Sequence, residues 1–541
     1  MDNVEKSSTT CREVASSWKF LGHSHVLREV SDLLGRADTF TEGRAASMLI
    51  GKLVTPWEIA CVSALRTAFP EDGYRSRPGT EESTPFLYAT RKRSPTNDAD
   101  CIAQLTWYDT GAIGPVASMD SFAIRFGTTD STIHGLVTAM ILIPAAIFSL
   151  LTGSISDLYG RPNVAASGAF IFACGAAIES AANGRAAFMC GRVITGMGQG
   201  LFVGLLSVYV CEMVPPQRRG PLASMPQFFL GIGLVLVYFT AYGTSSLESS
   251  ASWRVPFAVQ SFLAFAYATG CLMLPHTPSW LLSKGRLADA ARMSARISGA
   301  NEIGSAEPAL VRESKAEAET LRQRLRKAAT DYRRAWGKDV RSRTALGCFM
   351  MAMQQFGGID GVLYYAPLLF EKAGLSTNSA SFLASGVSAI ALFVVTIPAT
   401  LLADHWSRRR CTIVGGVLMT VCMFLIGSLY AADAVHSNHG AGRWIVIITI
   451  YLYAISFNAS WAVIFRVYIS EMQPSDMRAG ASGAGQSANW FANFIVALTT
   501  PIFLAHSTSG LYFFFGACSL STIIIYWWFM PETRGCPLEV A

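Results

Sequence analysis

The sequence predicts an all-α polytopic membrane protein built from two pseudo-symmetric six-helix bundles. Three observations carry that prediction. Apolar runs of about 20 residues, long enough to cross a bilayer as helices, recur along the chain. One long hydrophilic segment, 275–343, divides them six and six. Short charged loops then return in the same pattern six runs apart, the mark of an internal duplication.

Composition agrees. Of the 541 residues, 51% are hydrophobic and 15% are charged, and the mean hydropathy is +0.35. Soluble domains carry about 25% charged residues. The net charge of +6 is not gathered into a basic module, so nucleic-acid binding is not expected. The twelve Cys are scattered without a CxxC pair, which argues against a zinc site or a disulfide framework. No GxxxxGK[ST] loop points to an ATP-driven pump. No nucleophile–base or metal-ligand spacing stands out among the eight His, so neither an enzyme nor a cofactor is expected.

Taken in order, residues 1–100 are polar and mixed and read as a cytoplasmic tail. Within them 46–69 is most apolar, but Lys52, Pro56, Glu58 and Arg66 make it a surface amphipathic helix rather than a span. Arg91-Lys92-Arg93 is a basic cytoplasmic flank. The first span is assigned to 101–119, which restores a twelfth run to the eleven clearer ones. Those are 134–153, 164–182, 187–210, 223–243 and 255–274, then 345–367, 381–403, 412–431, 444–468, 485–504 and 511–530. The resulting units are an N-terminal bundle (101–274), a central loop (275–343), a C-terminal bundle (344–530) and a short tail (531–541). From Lys284 to Arg343 the loop holds fifteen basic and eight acidic side chains, an excess that places it, and by parity both termini, in the cytoplasm.

The repeated loops are of two types. Asp157…Gly160-Arg161 follows the second run and Asp404…Arg408-Arg409 follows the eighth. Glu212…Arg219 follows the fourth and Glu471…Arg478 follows the tenth. Ion pairs and caps at these helix ends suit a gate that locks in one orientation and breaks in the other. Static end-capping is the plainer alternative.

The seventh run is unlike an ordinary span. Gln354, Gln355 and Asp360 interrupt it, and in a regular helix the two amides point about 120–140° away from the acid. The three share one wall only if the helix unwinds, which Gly357, Gly358, Gly361 and Pro367 permit. Unwound backbone at membrane depth must be buried in protein or line a wet cavity. A hydroxyl-rich solute held there is the sharper expectation; interhelical hydrogen bonding accounts for isolated Gln in many spans.

These pieces, with Trp107-Tyr-Asp-Thr-Gly111, Gly191-Arg192-Val-Ile-Thr-Gly196, Pro275-His-Thr-Pro278, Asn489-Trp490-Phe-Ala-Asn493 and Pro531-Glu-Thr-Arg-Gly535, resemble the sugar porter family of the major facilitator superfamily, in a fungal style. The resemblance covers about 107–539 and rests on the order and spacing of its motifs. It implies a twelve-span monomer in which rocking exposes a monosaccharide site to each side in turn. By position it makes Gln227, Gln354, Gln355 and Asn493 sugar contacts and Trp490 an aromatic wall. Amides both donate and accept, as sugar hydroxyls do. It also implies proton–sugar symport, with Asp109 as carrier and Arg192 as partner; a permanent ion pair that only orients two helices is the plainer alternative.

The chain departs from the family at several points. Asp360 stands where the family has Asn, and Arg466 where it has Trp. An Asp360–Arg466 pair in the cavity is one expectation. A guanidinium that receives a carboxylated substrate, such as a sugar acid, is another. A polyol carrier and a non-transporting sugar sensor are the remaining alternatives; the short segment after the last span disfavours the sensor. His276 and Ser279 replace a Glu and an Arg, Pro162 a basic residue and Ser407 a Gly. Residues 95–104 lack the apolar lead that family members have before the first span.

Overall fold

The computed structural model describes residues 109, 111–213, 225–247, 249–298, 330, 333, 336–337, 340–373, 378–402, 407–435, 441–472 and 478–530. All belong to the compact unit Pro85–Ala541, and the regular elements among the described residues are helices. The helical stretch 111–117 leads into α1 (Asp120–Phe126). Then come α2 (Ser131–Ala139), α3 (Leu142–Tyr159), α4 (Arg161–Ala181), α5 (Arg185–Met213), α6 (Met225–Ser245) and α7 (Ala251–Leu272). Short helices α8 (Pro278–Ser283) and α9 (Leu287–Ser298) open the central segment. The second half comprises α10 (Arg341–Phe356), α11 (Ile359–Tyr364), α12 (Ala366–Lys372), α13 (Asn378–Leu402), α14 (Arg408–Ala431), α15 (Gly442–Ala459), α16 (Trp461–Met472), α17 (Arg478–His506) and α18 (Thr508–Phe529). They form twelve successive passages, six on each side of the central segment. Among the described residues eight helical stretches are at least 18 residues long and apolar enough to cross a membrane.

Two passages differ from the sequence expectation. The run 134–153 is a helix pair, α2 and α3, that extends to Tyr159. Pro144 lacks the N–H that would bond the carbonyl of Met140, which frees that turn. At the far end Gly160 (φ 94°) stops α3 in a conformation that side chains disfavour. The run 444–468 is also divided, at Ser460 (φ −126°, ψ −80°), with no Gly or Pro to announce it.

The seventh passage is broken as its glycines suggest. α10 ends at Gly357, and Gly358 adopts φ 96°. A Cβ on Gly358 would also come within 2.5 Å of the Phe515 ring, so only glycine fits. The hydroxyl of Tyr453 donates to the Gly357 carbonyl at 2.7 Å, supplying a partner where the helix opens. A second break at Tyr365 precedes Pro367, and the Tyr365 hydroxyl donates to the Ala497 carbonyl at 2.7 Å.

The two halves touch through backbone. A Cβ on Gly114 would overlap the carbonyl oxygen of Tyr364, and one on Gly135 that of Leu498. The hydroxyl of Tyr238 donates to the Leu363 carbonyl at 2.7 Å. By chain direction these contacts lie in the half of the bundle remote from the central segment.

Candidate functional site

Unwinding at Gly357-Gly358 puts both amides and the acid of the seventh passage against α17. Gln355 Nε2 donates to Asn489 Oδ1 at 3.2 Å, and Asn489 Nδ2 donates to Gln354 Oε1 at 3.1 Å and to the Met351 carbonyl at 2.8 Å. Gln354 Nε2 donates to the Trp461 carbonyl at 3.0 Å, so both ends of this amide are bound to protein. One turn along α17, Asn493 Nδ2 donates to Asp360 Oδ2 at 2.5 Å and to the Tyr364 hydroxyl at 3.3 Å. All of these side chains are buried, none turned toward the lipid-facing surface. Two polar atoms on this wall, Gln355 Oε1 and Asn493 Oδ1, have no protein partner among the described residues, and neither has Trp490 Nε1 on the same helix, α17. Buried donors and acceptors are rarely left so, and groups of this kind suit a hydroxylated ligand.

A second site is built in the N-terminal half. Asp109 precedes the helical stretch 111–117, and its Oδ1 receives Arg192 Nη1 at 2.7 Å and Gln260 Nε2 at 2.9 Å. Arg192 Nη2 donates to the Thr138 carbonyl at 3.2 Å. Glu179, absent from the sequence-based site, lies behind the guanidinium with Oε2 3.7 Å from Arg192 Nη1. Its Oε1 contacts the Thr195 hydroxyl. Arg192 and Glu179 are fully buried and Asp109 is 2% exposed. Such charges persist out of water only when paired. Gly191 makes the room, since a Cβ there would come within 2.7 Å of Glu179 Cγ.

Tyr364 lies between the two sites. It contacts Asn493, and Asp360, Asp109 and Arg192 all act on its hydroxyl electrostatically. Asp360 and Asp109, in opposite halves of the chain, therefore both act on one tyrosine.

At the end of the bundle beside the central segment, Arg161 Nη1 pairs with Asp157 at 2.5 Å and Nη2 with Glu212 at 3.3 Å. The His276 ring rests on Gly160 and stacks on Trp280 at 4.2 Å. Burial, and then the charge of Arg286, lower the pKa of His276 below its usual 6.5. Arg408 is buried, and Arg409 Nη2 donates to the Trp527 carbonyl at 2.5 Å. Arg219 and Asp404 lie outside the described residues, as do residues 1–108, which include the polar segment 95–104 ahead of the first span. For Gln227 on α6, Arg466 and Glu471 on α16, and Arg478 at the start of α17, the backbone alone is described. The expected Asp360–Arg466 pair thus falls outside what is described.

Two residues escaped the sequence reading. Asn489 was in view as part of a motif, but its bridging of both glutamines depends on the helix register. Glu179 sits near the end of an apolar run, where a lone acid reads as a boundary charge. Its spacing of thirteen from Arg192, across a short turn, was the available signal.

Comparison with known proteins gives a consistent picture. Residues 101–541 match the family model described as sugar (and other) transporter. A sugar transport protein of Oryza sativa is 29% identical over 453 residues, covering 80% of this chain and 87% of that protein. A probable glucose transporter of Neurospora crassa is 29% identical over 80% of this chain and 76% of its own. A probable quinate permease of Aspergillus niger is 30% identical over 80% of this chain and 84% of its own. Among solved structures, the major facilitator superfamily proton:xylose symporter XylE bound to 6-bromo-6-deoxy-D-glucose aligns with a TM-score of 0.68 and 25% identity, over 82% of this chain and 97% of that chain. The partially occluded inward-open XylE from E. coli gives 0.65 at 24% identity, over 82% and 99%.

Proposed function

The chain belongs to the sugar (and other) transporter family, a multi-pass membrane transporter with the major facilitator fold and not an enzyme, and from that premise we propose that it carries a monosaccharide together with a proton by alternating access. The observation that carries the reading is the pair of buried sites on either side of Tyr364. On one side, Asn493 holds Asp360, and polar atoms of Gln355 and Asn493 on that wall, with Trp490 Nε1 on the same helix as Asn493, have no protein partner among the described residues. Sugar hydroxyls satisfy such donors and acceptors together, and the indole face suits the apolar patch of the ring. On the other side, Asp109 sits on Arg192 in the half that moves against that wall. Gln354 and Asn489 orient the contacts. Gln227, a sugar contact by the family resemblance, belongs to α6 of the opposite lobe.

The gate follows from the loops. Arg161 with Asp157 and Glu212 ties α3, α4 and α5 at one end. By the repeat of the charged loops, Arg219, Asp404, Arg408, Arg409, Glu471 and Arg478 are the other members of the gate. The basic excess of the central loop orients that end, and both termini, to the cytoplasm, with 101–274 and 344–530 as the two rocking bundles. A monomer in the plasma membrane fits this arrangement.

A second substrate class has its own support. The relatives include a quinate permease, and Arg466 lies on α16, five residues past the Trp461 carbonyl that binds Gln354. A carboxylated polyol or sugar acid would meet that guanidinium. Uptake of labelled glucose, galacturonate and quinate into proteoliposomes, by wild type and Arg466→Trp, separates the readings. Glucose uptake that is saturable and driven by an inward proton gradient supports the first. Uptake of the acids alone, lost in Arg466→Trp, replaces it with the second. Growth of a hexose-transport-null yeast on single carbon sources then ranks the sugars.

A further inference from the structure

We propose that the transported proton is held not by Asp109 alone but by a carboxyl pair, Asp109 and Glu179, bridged by the single guanidinium of Arg192. This deepens the proton-coupled reading and rests on it.

The argument begins with charge. Two carboxyls and one guanidinium are enclosed together, with exposures of 2%, 0% and 0%. With both acids ionised the cluster would carry a net negative charge out of reach of water; one proton makes it neutral. The charges acting on Glu179 are Arg192 from α5 and Asp109 from the first passage. From α7 the cluster receives only the uncharged amide of Gln260. Arg254, at the start of α7, is bound to the Ala182 carbonyl and to Asn183. No further cation is among the groups acting on Glu179.

Hydrogen-bond counting places the proton. The hydroxyl of Thr195 has one hydrogen and lies 2.6 Å from the Gly191 carbonyl, to which it donates. The same oxygen contacts Glu179 Oε1. Both contacts are satisfied if Glu179 carries the proton and donates it to Thr195. Asp109, by contrast, accepts from two donors, Arg192 and Gln260, as an ionised carboxylate does. In this conformation the proton of the pair resides on Glu179 and the charge on Asp109.

Two carboxyls that share one guanidinium hold a single proton between them. The pair takes that proton from water on one side of the membrane and returns it to water on the other. Only O–H bonds form and break. Arg192 keeps one ionised carboxylate as partner in either tautomer, so the proton can move between the acids without stranding the guanidinium.

The test uses purified full-length protein in proteoliposomes. Glu179→Gln removes one of the two carboxyls while keeping an amide for Thr195. Its midpoint for proton-driven glucose uptake should fall by about one pH unit or more. Infrared difference spectra read the proton directly. Wild type should show a protonated-carboxyl band at neutral pH, lost in Glu179→Gln and shifted in Thr195→Val, which deprives that carboxyl of its acceptor. A Glu179→Gln midpoint matching wild type, or a band untouched by both substitutions, overturns the pair and leaves Asp109 as sole carrier. The infrared measurement on Thr195→Val decides the matter if Glu179→Gln does not fold. If wild type takes up glucose without moving protons, the symport reading falls first and the pair with it.

Discussion

Replacing Asp109 with Asn should separate sugar movement from accumulation. The substitution keeps the shape of the side chain and removes the charge that receives Arg192 Nη1 at 2.7 Å and Gln260 Nε2 at 2.9 Å. Arg192 is left with Glu179, whose Oε2 is 3.7 Å away. Removing one partner of a buried ion pair costs about 3–5 kcal/mol when nothing replaces it. On the proposed pair Glu179 remains as its partner, so the variant should fold with that acid held on the guanidinium. The transport consequence follows from energy. A gradient of one pH unit is worth about 1.36 kcal/mol per proton. Two units therefore support roughly 100-fold accumulation at one proton per sugar, and with no proton coupled the ratio settles at about one. The assay is steady-state accumulation of labelled glucose in proteoliposomes with an acid exterior, beside counterflow at equal pH. Wild type should concentrate the sugar, and Asp109→Asn should run counterflow only. Accumulation of tenfold or more by Asp109→Asn, with sugar-evoked alkalinisation intact, would sink the carrier role.

Three further outcomes are expected. Asn489→Ala strips Gln354 Oε1, Gln355 Nε2 and the Met351 carbonyl of a partner each. At about 1–3 kcal/mol for a buried group left unpaired, the KM for sugar should rise at least tenfold; a KM within twofold of wild type contradicts the bridging role. Gly114→Val drives a side chain into the Tyr364 carbonyl, so uptake should be lost in protein that still inserts and remains monodisperse. Wild-type rates in that variant would mean that the halves need not approach so closely. His276, held neutral below its usual 6.5 by burial and Arg286, favours the folded contact fully above that pH, and the advantage fades as pH falls toward its lowered value. Tryptic cleavage after Arg286 should accelerate at about pH 5.5 and lose that acceleration in His276→Gln; identical profiles would remove His276 from the gate.

The sequence carried the fold because the bilayer leaves few choices. Apolar length, one central break and recurring charged loops suffice for two six-helix lobes. The unwinding of the seventh passage was also legible, since three glycines and a proline surround polar groups that a regular helix would scatter. The break at Ser460 was not, because Phe457-Asn-Ala-Ser-Trp461 contains no residue that demands it; Trp461 is turned inward to donate its Nε1 to the Thr412 carbonyl at 2.9 Å. The candidate sites were half legible. Asp109 and Arg192 belong to motifs, but Glu179 joins them only through the register of α4 on α5, where Gly175 and Gly191 let the helices close. No pattern along one chain encodes that register, so a lone acid at the end of an apolar run passes unremarked.

The geometry also says how two sites in different lobes answer one another across a single contact between the lobes. Asp109 and Gly114 belong to one passage, five residues or about 7.5 Å of helix apart. Gly114 rests on the carbonyl of Tyr364, and the side chain of Tyr364 meets Asn493, which holds Asp360. The short helix α11 therefore carries the lobe contact at one end and the sugar wall at the other. When the lobes part along Gly114, the first passage moves with its lobe and Tyr364 with the opposite one. The electrostatic surroundings of Asp109 then change because Tyr364 and Asp360 recede together. Conversely, on the proposed reading a sugar bound to Asn493 and Gln355 would pull on α11 through the Asn493 bonds to Asp360 and Tyr364. Coupling of this kind needs a bistable interface and not a wire. The glycine contact provides one: backbone against backbone is either seated or open, with little stable ground between.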